Sequence, residues 1–269
     1  MFMSRTGREK SSYVIQSVVN ALNLLEQFIH SEGELGVTEL SKRLGLHKNN
    51  VFRLLATLES KGYIEQNKAT ENYRLGIKSL ELGQTYIHQM GLVHHAHPVM
   101  EELVKKCQEN VYLGIVQENS VVYLDMVEAN QVVRVASRIG QQLPIHCSSI
   151  GKVQIAFMSE SEFERLKLKN TLKQYTPNTI TDYDDLKKHL EGIRKVGYAL
   201  DNGEYDEGVR CVAVPIRDYT RQIVAGLSIS GPVFRMTDEN LKKRIIPEIV
   251  KAGKEISKRL GFDIPNYDS

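Results

Sequence analysis

Between residues 17 and 62 apolar side chains recur at helical spacing in three short bursts, each followed by glycine. Val18, Leu22, Leu25 and Ile29 mark one face of a first helix, with Ser17 as its N-cap and an end near His30. Gly33 and Gly36 break the pattern. Thr38 can cap a second helix that turns Leu40 and Leu44 inward and stops at Gly45. A third helix follows almost at once with Val51, Leu54, Leu55 and Leu58 inward, and Gly62 stands past its end, where a left-handed residue is cheap. Two β-prone snippets, Gly62 to Glu65 and Asn72 to Leu75, flank the polar run Gln66 to Glu71 and predict a small hairpin. Three helices with a tight second turn and then a hairpin are the parts of a winged helix-turn-helix, whose second motif helix enters the DNA major groove.

What that helix exposes tests the idea. With its apolar face inward, Lys48, Asn49, Asn50, Arg53 and Thr57 face outward, crowded toward the end that would meet base edges. Asn can bond adenine through two hydrogen bonds, Arg can grip guanine likewise, and Lys suits a phosphate. On the hairpin, Arg74 could add a contact, and Tyr73 or Lys68 could meet the sugar-phosphate backbone. Residues 1 to 75 hold 10 Lys+Arg against 8 Asp+Glu, whereas the remainder balances at 25 against 25. A plain three-helix core with solvated polar side chains is the other reading. The wing, the local basic excess and the single acid, Glu39, between Thr38 and Arg53 favour double-stranded DNA as a partner.

Residues 77 to 90 return to helical spacing through Ile77, Leu80, Leu82 and Ile87, although Gly83 weakens the interior by about 1 kcal/mol. This segment reads as a linker helix, so the predicted domains are 1–76, a linker at 77–92, and 93–269. Beyond it an amphipathic helix through Val99, Leu103 and Val104 precedes three β-rich segments, Val111 to Gln117, Val121 to Glu128 and Gln131 to Arg138, an antiparallel meander. Helices over Ser149 to Phe157, Glu160 to Lys169 and Asp182 to Lys195 follow. Strands at Tyr198 to Asp201, Cys211 to Arg217 and Ile223 to Ser230 and a helix from Thr237 to Leu260 complete an α+β domain. With 41% hydrophobic and 25% charged residues the 269-residue chain has a globular composition. No run approaches the roughly 18 apolar residues of a membrane span. Its start is polar, and Cys107, Cys147 and Cys211 form an odd set without a CxxC pair, so the expected address is the cytoplasm, without a membrane partner.

The second domain reads as a pocket. Residues 131 to 151 turn at Gly140 and Pro144 and run through Cys-Ser-Ser into a helix near Ser149, whose first N–H groups favour an anion such as a carboxylate. Asp201, the run Gly208 to Cys211, and Ser228 and Ser230 bring polar groups onto otherwise apolar strands, as small-molecule sites do. His146, Cys147 and Asp201 are residue types of a nucleophile, base and orienter, but neighbours on a strand point opposite ways and no nucleophile elbow is present, so no enzyme is expected. Cys107 and Cys211 read as core residues. His88, His94, His95 and His97 crowd one span that ends in a turn before Pro98, without a Cys or carboxylate at ligand spacing, and no metal or cofactor is expected. A rival reading is a ligand or redox sensor that works through Cys147 or Cys211 and a protein partner, without DNA.

Taken together, GVTELSKRLGLHKNNVFRLLATLESKGYIE and YRLG, then SRIGQQLPIHCSSIGK, then DNGEYDEGVRCVAVPIRD and AGLSISGP, resemble the IclR family of bacterial transcriptional regulators over about residues 14 to 261. The resemblance implies a homodimer, often a dimer of dimers, that binds a near-palindromic operator through its N-terminal domains, more often as a repressor. It implies a GAF-like C-terminal domain that binds a small-molecule effector, often an organic acid. The effector residues it implies are Val132, Val135, Leu143, Ser149, Ile150, Asp201, Val209, Cys211, Ser228 and Ser230. His47-Lys-Asn-Asn50 departs from the Lys-Ser-Thr common at the recognition-helix start, and Ser149-Ile150 is bulkier than the small residues common there. SRIG, SSIGKV and AVPIRD are similar to the branch that senses 2-keto-3-deoxygluconate.

Overall fold

The computed structural model describes residues 14–29, 31, 33–89, 91–136, 142–169 and 171–262. They form two compact units, Met1–Tyr86 and Ile87–Ser269.

The first unit holds helices α1 (Gln16–Glu26), α2 (Val37–Leu44) and α3 (Lys48–Ser60), then strands β1 (Ile64–Gln66) and β2 (Tyr73–Leu75). Both expected N-caps move. α1 begins at Gln16 with Ile15 as an N-cap that makes no side-chain bond, so Ser17 is already helical. In α2 the Gly36 carbonyl accepts the Leu40 amide (3.0 Å), so the helix starts at Val37 and Thr38 lies in its first turn. Gly45, at φ 64°, takes the left-handed conformation that ends α2 and lets α3 start three residues later. Leu24, Leu40, Val51 and Leu55 are fully buried with Leu35, Ile64 and Tyr73. Each such leucine adds about 1.5–3 kcal/mol of burial. β1 and β2 pair antiparallel, and Leu35 bridges Tyr73 through N–H to carbonyl bonds of 2.9 and 3.0 Å, adding a third short edge. The Glu34 carboxylate accepts from Asn67 (2.6 Å) and Thr70 (2.5 Å), which pins the hairpin loop.

The boundary between units falls inside α4 (Ile77–Gln89), the expected linker helix. The second unit continues with α5 (Leu92–Cys107), β3 (Asn110–Gln117), β4 (Ser120–Val127), β5 (Gln142–Pro144), a 3-10 turn (Ile145–Cys147), α6 (Ser149–Ile155), α7 (Glu160–Arg165), α8 (Tyr183–Val196), β6 (Ala199–Asn202), β7 (Val209–Arg217) and β8 (Ile223–Pro232). It closes with α9 (Asp238–Asn240), a π-helical turn (Leu241–Ile245) and α10 (Ile246–Arg259). The strands form one antiparallel sheet in the order β5-β4-β3-β8-β7-β6. α5 and α10 bury Leu92, Met100, Leu103, Ile249 and Ile256 against one face, and α6, α7 and α8 bury Ile150, Val153, Phe163, Leu186 and Leu190 against the other.

The expected turn before Pro98 is absent. Pro98 lies inside α5, where burial of Leu92, Ala96, Val99 and Met100 on one face outweighs the backbone bond that proline removes. The single helix from Thr237 to Leu260 is interrupted by the π-helical turn just before Pro247, whose missing N–H suits the start of α10. No strand forms over residues 131–136, and 137–141, with the expected turn at Gly140, lie outside the described residues. The carbonyls of Val133, Val135 and Ala136 go to the side chains of Arg235 (2.8 Å), Asn110 (2.8 Å) and Tyr112 (3.2 Å) instead of a ladder. β5 pairs with β4 in the place that strand was expected to fill.

Candidate functional site

In the first unit α3 presents Lys48, Asn49, Asn50, Arg53 and Thr57 on its exposed side, Lys48 to Asn50 in its opening turn. The inward residues Val51, Leu55 and Leu58 fix that orientation through the shared core. The Thr57 hydroxyl donates to the Arg53 carbonyl (2.8 Å), so it lies along the helix. Phe52, 57% exposed, shares this surface; an apolar residue at an outward position was the signal for it, and composition alone hides that. Tyr73 departs from expectation. Its ring is buried in the core, where it closes the hairpin onto Leu35, so it is not a surface contact. Arg74 is exposed and pairs with Glu65 across the hairpin (2.6 Å). Lys68 is exposed on the loop.

In the second unit the pairing register aligns Asp201 with Cys211, Cys211 with Ser230, and Ser230 with Asn110. Side chains alternate faces along a strand, and Ala199, Ala213 and Tyr112 each stand two residues away in the core beneath α6 to α8, so this polar row faces the same way. At about 4.8 Å per strand the row spans roughly 14 Å, the length of a small metabolite. The next row places Ser228 beside Tyr112 and Ala213, and its hydroxyl lies 3.1 Å from that of Ser149 at the start of α6. Ser148 caps α6 by accepting the Gly151 amide (3.2 Å). A side chain at Gly151 would put Cβ 2.3 Å from the Ile145 carbonyl oxygen, so only glycine brings the helix start this close to the 3-10 turn. Val135, Leu143 and Ile150 are buried around the rows, and Val209 is partly buried at the strand start. Val132 does not join them: its side chain is 99% exposed, because residues 131–136 run as a loop.

The electrostatics around this row centre on Asp201. Its Oδ1 accepts the Glu204 amide (2.8 Å), yet burial pushes its carboxyl up to about 6, against the opposing pull of Lys152. Lys152 and Glu204 form a buried ion pair that was missed from sequence. Lys152 also donates to the Leu200 carbonyl (2.6 Å) and lies 3.4 Å from His189 Nε2. A lysine within the otherwise apolar SIGKVQI helix, and a glutamate three residues after Asp201, were the available signals. Asn110 and Tyr112 were missed too. Asn110 accepts the Ala129 amide (2.8 Å) and donates to Val135, so both hold the 129–136 loop over the row.

His146 and Cys147 lie on the 3-10 turn and not on a strand, so the stated ground for separating them does not hold. Their environments differ all the same. His146 Nε2 is 3.0 Å from the Lys173 carbonyl and burial lowers its pKa, whereas burial, with Asp201 nearby, pushes the Cys147 thiol up to about 12. Cys107 is likewise pushed up to about 11 by burial in the α5–α10 core. Cys211 is only partly buried, beside Asp201, and so belongs to the polar row more than to the core. His97 Nδ1 lies 2.6 Å from Asp125 and His94 and His95 sit on the same helix, while the side chain of His88 lies outside the described residues. Among the described residues no three His, Cys, Asp or Glu side chains gather as a metal site, and no helix is long and apolar enough to cross a membrane.

Comparison with known proteins matches both units. Residues 17–68 match the IclR helix-turn-helix domain, and residues 84–258 match the bacterial transcriptional regulator IclR C-terminal domain. The transcriptional regulator KdgR of Dickeya chrysanthemi is 35% identical over 260 residues, covering 97% of this chain and 85% of that protein. The regulator XynR of Escherichia coli is 36% identical over 249 residues, covering 93% of this chain and 98% of that protein. The crystal structure of the Thermotoga maritima IclR superposes with a TM-score of 0.73 at 33% identity, covering 92% of this chain and 99% of that one.

Proposed function

The chain belongs to the IclR family of bacterial transcriptional regulators, which bind DNA and are not enzymes, and from that premise we propose that it is a repressor whose operator affinity is set by a small organic acid. The observation that carries the effector half is the aligned row of Asp201, Cys211, Ser230 and Asn110 beside the hydroxyl pair of Ser149 and Ser228. Asp201, Cys211, Ser228 and Ser230 on the sheet, with Ser149 on α6, supply donors and acceptors for a carboxylate and neighbouring hydroxyl or keto oxygens, while Asn110 holds the 129–136 loop beside them. The motifs SSIGKV and AVPIRD support a sugar-derived keto acid such as 2-keto-3-deoxygluconate.

The operator half rests on Lys48, Asn49, Asn50 and Arg53 at the exposed opening of α3, with Arg74 on the hairpin. A homodimer, or a dimer of such dimers, is supported by exposed apolar residues, Val18 and Leu22 on α1 with Ile15 and Ile29 just beyond its two ends, and Ile77 and Leu80 on α4. Since α4 continues across the boundary between the units, it is the element through which effector occupancy reaches the operator. A coupling of about 1–3 kcal/mol would alter operator affinity roughly 5- to 150-fold.

The redox-sensor alternative is disfavoured at Cys147, whose thiol burial pushes up to about 12 and so keeps protonated. Operator binding and effector response unaffected by Cys147→Ser, with operator binding also kept by the partly buried Cys211→Ser, would dispose of it. Thermal unfolding with 2-keto-3-deoxygluconate, pyruvate or benzoate tests the effector class. A saturating effector at 100 times its Kd adds about 2.7 kcal/mol. That is a rise of about 5–10 °C, lost in Ser230→Ala. A melting curve unmoved by every acid would remove the acid-effector reading.

A further inference from the structure

We propose that Asp201 meets the effector as a neutral carboxyl that donates a hydrogen bond to the effector's carboxylate, so that each organic acid enters the chamber together with one proton taken from the solvent. The inference rests on the acid-effector reading and deepens it by specifying how that chamber accepts an anion. Asp201 is only 6% exposed and stands at the end of the polar row, with Oδ1 committed to the Glu204 amide (2.8 Å). Among the described residues, the titratable groups that face it come from four elements. From α6 comes Lys152, whose ammonium is already held by the Glu204 carboxylate and the Leu200 carbonyl (2.6 Å). From its own loop comes Glu204, from β7 the Cys211 thiol, and from the 3-10 turn Cys147, which burial keeps a thiol. Beyond Lys152, His189 on α8 and His146 on the turn are both pushed by burial toward the neutral form.

The charges of Lys152 and Glu204 cancel within their pair, which leaves Asp201 as the net charge turned toward the row. An ionised Asp201 would oppose an incoming carboxylate across a low-dielectric gap, with Lys152 too committed to offset both. One shared proton removes the conflict and turns repulsion into a charge-assisted O–H to carboxylate bond, as in other close carboxyl pairs. The effector remains the anion and Asp201 holds the proton. Burial has already raised Asp201 to about 6, so protonating it near neutral pH is a small additional step. The arrangement also sets specificity: a neutral sugar or amide of the same shape gains nothing from that proton.

Isothermal titration of the full-length protein with 2-keto-3-deoxygluconate, pyruvate and benzoate, in phosphate and in Tris at pH 7.5, counts the protons through the two buffers' ionisation heats. The expected result is close to one proton taken up per acid bound, a Kd that weakens about tenfold per pH unit above pH 6.5, and no buffer dependence in Asp201→Asn. Binding of an acid with no proton uptake and an unchanged Kd from pH 5.5 to 7.5 would overturn this inference and leave the acid-effector reading standing. No binding of any acid at any pH would overturn both.

Discussion

Replacing Asp201 by asparagine should make the protein more stable, and only above the pH at which the aspartate ionises. In the folded chain Asp201 titrates near 6, against 3.8 for an ordinary aspartate. That rise of roughly 2 units corresponds to about 3 kcal/mol at 1.36 kcal/mol per unit. A carboxyl whose folded pKa is raised contributes its full stability below the unfolded value and loses it as pH climbs through the folded one. The wild type therefore carries the whole penalty at pH 8 and almost none at pH 4. Asparagine cannot ionise and keeps an oxygen to accept the Glu204 amide, so the variant should gain about 2–3 kcal/mol at pH 8. For a unit of this size that is about 5–10 °C in melting temperature. Circular-dichroism melts of both proteins at matched protomer concentration, from pH 4 to pH 8, read the difference directly. A variant no more stable than wild type at pH 8, or a gain that persists unchanged at pH 4, would refute the claim that buried ionisation at Asp201 opposes folding.

Arg53→Ala should weaken operator binding by about 1–3 kcal/mol, roughly 5- to 150-fold, and leave effector affinity unchanged, as anisotropy of labelled operator and calorimetry would read. Lys152→Ala should cost about 3–5 kcal/mol, because it strands the buried Glu204 carboxylate, while the double variant Lys152→Met with Glu204→Leu should recover most of the loss in urea melts. Leu22→Glu, on the exposed apolar stripe of α1, should shift the mass seen by light scattering toward a monomer without lowering the melting temperature by more than a few degrees.

The second and third helices were readable because each carries one periodic apolar face and glycines stand as stops between the elements, so Leu40, Val51, Leu55 and Leu58 are buried as their spacing requires. The first helix was read on the wrong face, since Val18, Leu22 and Ile29 are exposed and Leu24 and Phe28 enter the core instead. Tyr73 was misplaced because a β-strand that alternates inside and outside can be read in either phase when only three residues long, and the bridge to Leu35 that selects the inward phase is non-local. The polar row was half legible. Asp201, Cys211, Ser228 and Ser230 stood out as polar residues on apolar strands, but their alignment with Asn110 depends on β3 pairing with β8, residues more than a hundred positions apart. The 131–136 segment failed for the opposite reason. Its Val-Val-Arg-Val alternation has strand character, yet Asn110, Tyr112 and Arg235 take its carbonyls first.

The central claim is that one chain joins an operator-reading surface to an acid-sensing chamber. It is tested most directly by a gel shift of the purified protein on the intergenic DNA beside its own gene, with and without 2-keto-3-deoxygluconate, pyruvate or benzoate. A specific shift that one acid alters, and that Arg53→Ala weakens while Ser230→Ala blinds to the acid, is the predicted result. A specific shift that no acid alters would contradict the coupling, and the absence of any specific shift at low salt would contradict the operator-reading surface itself.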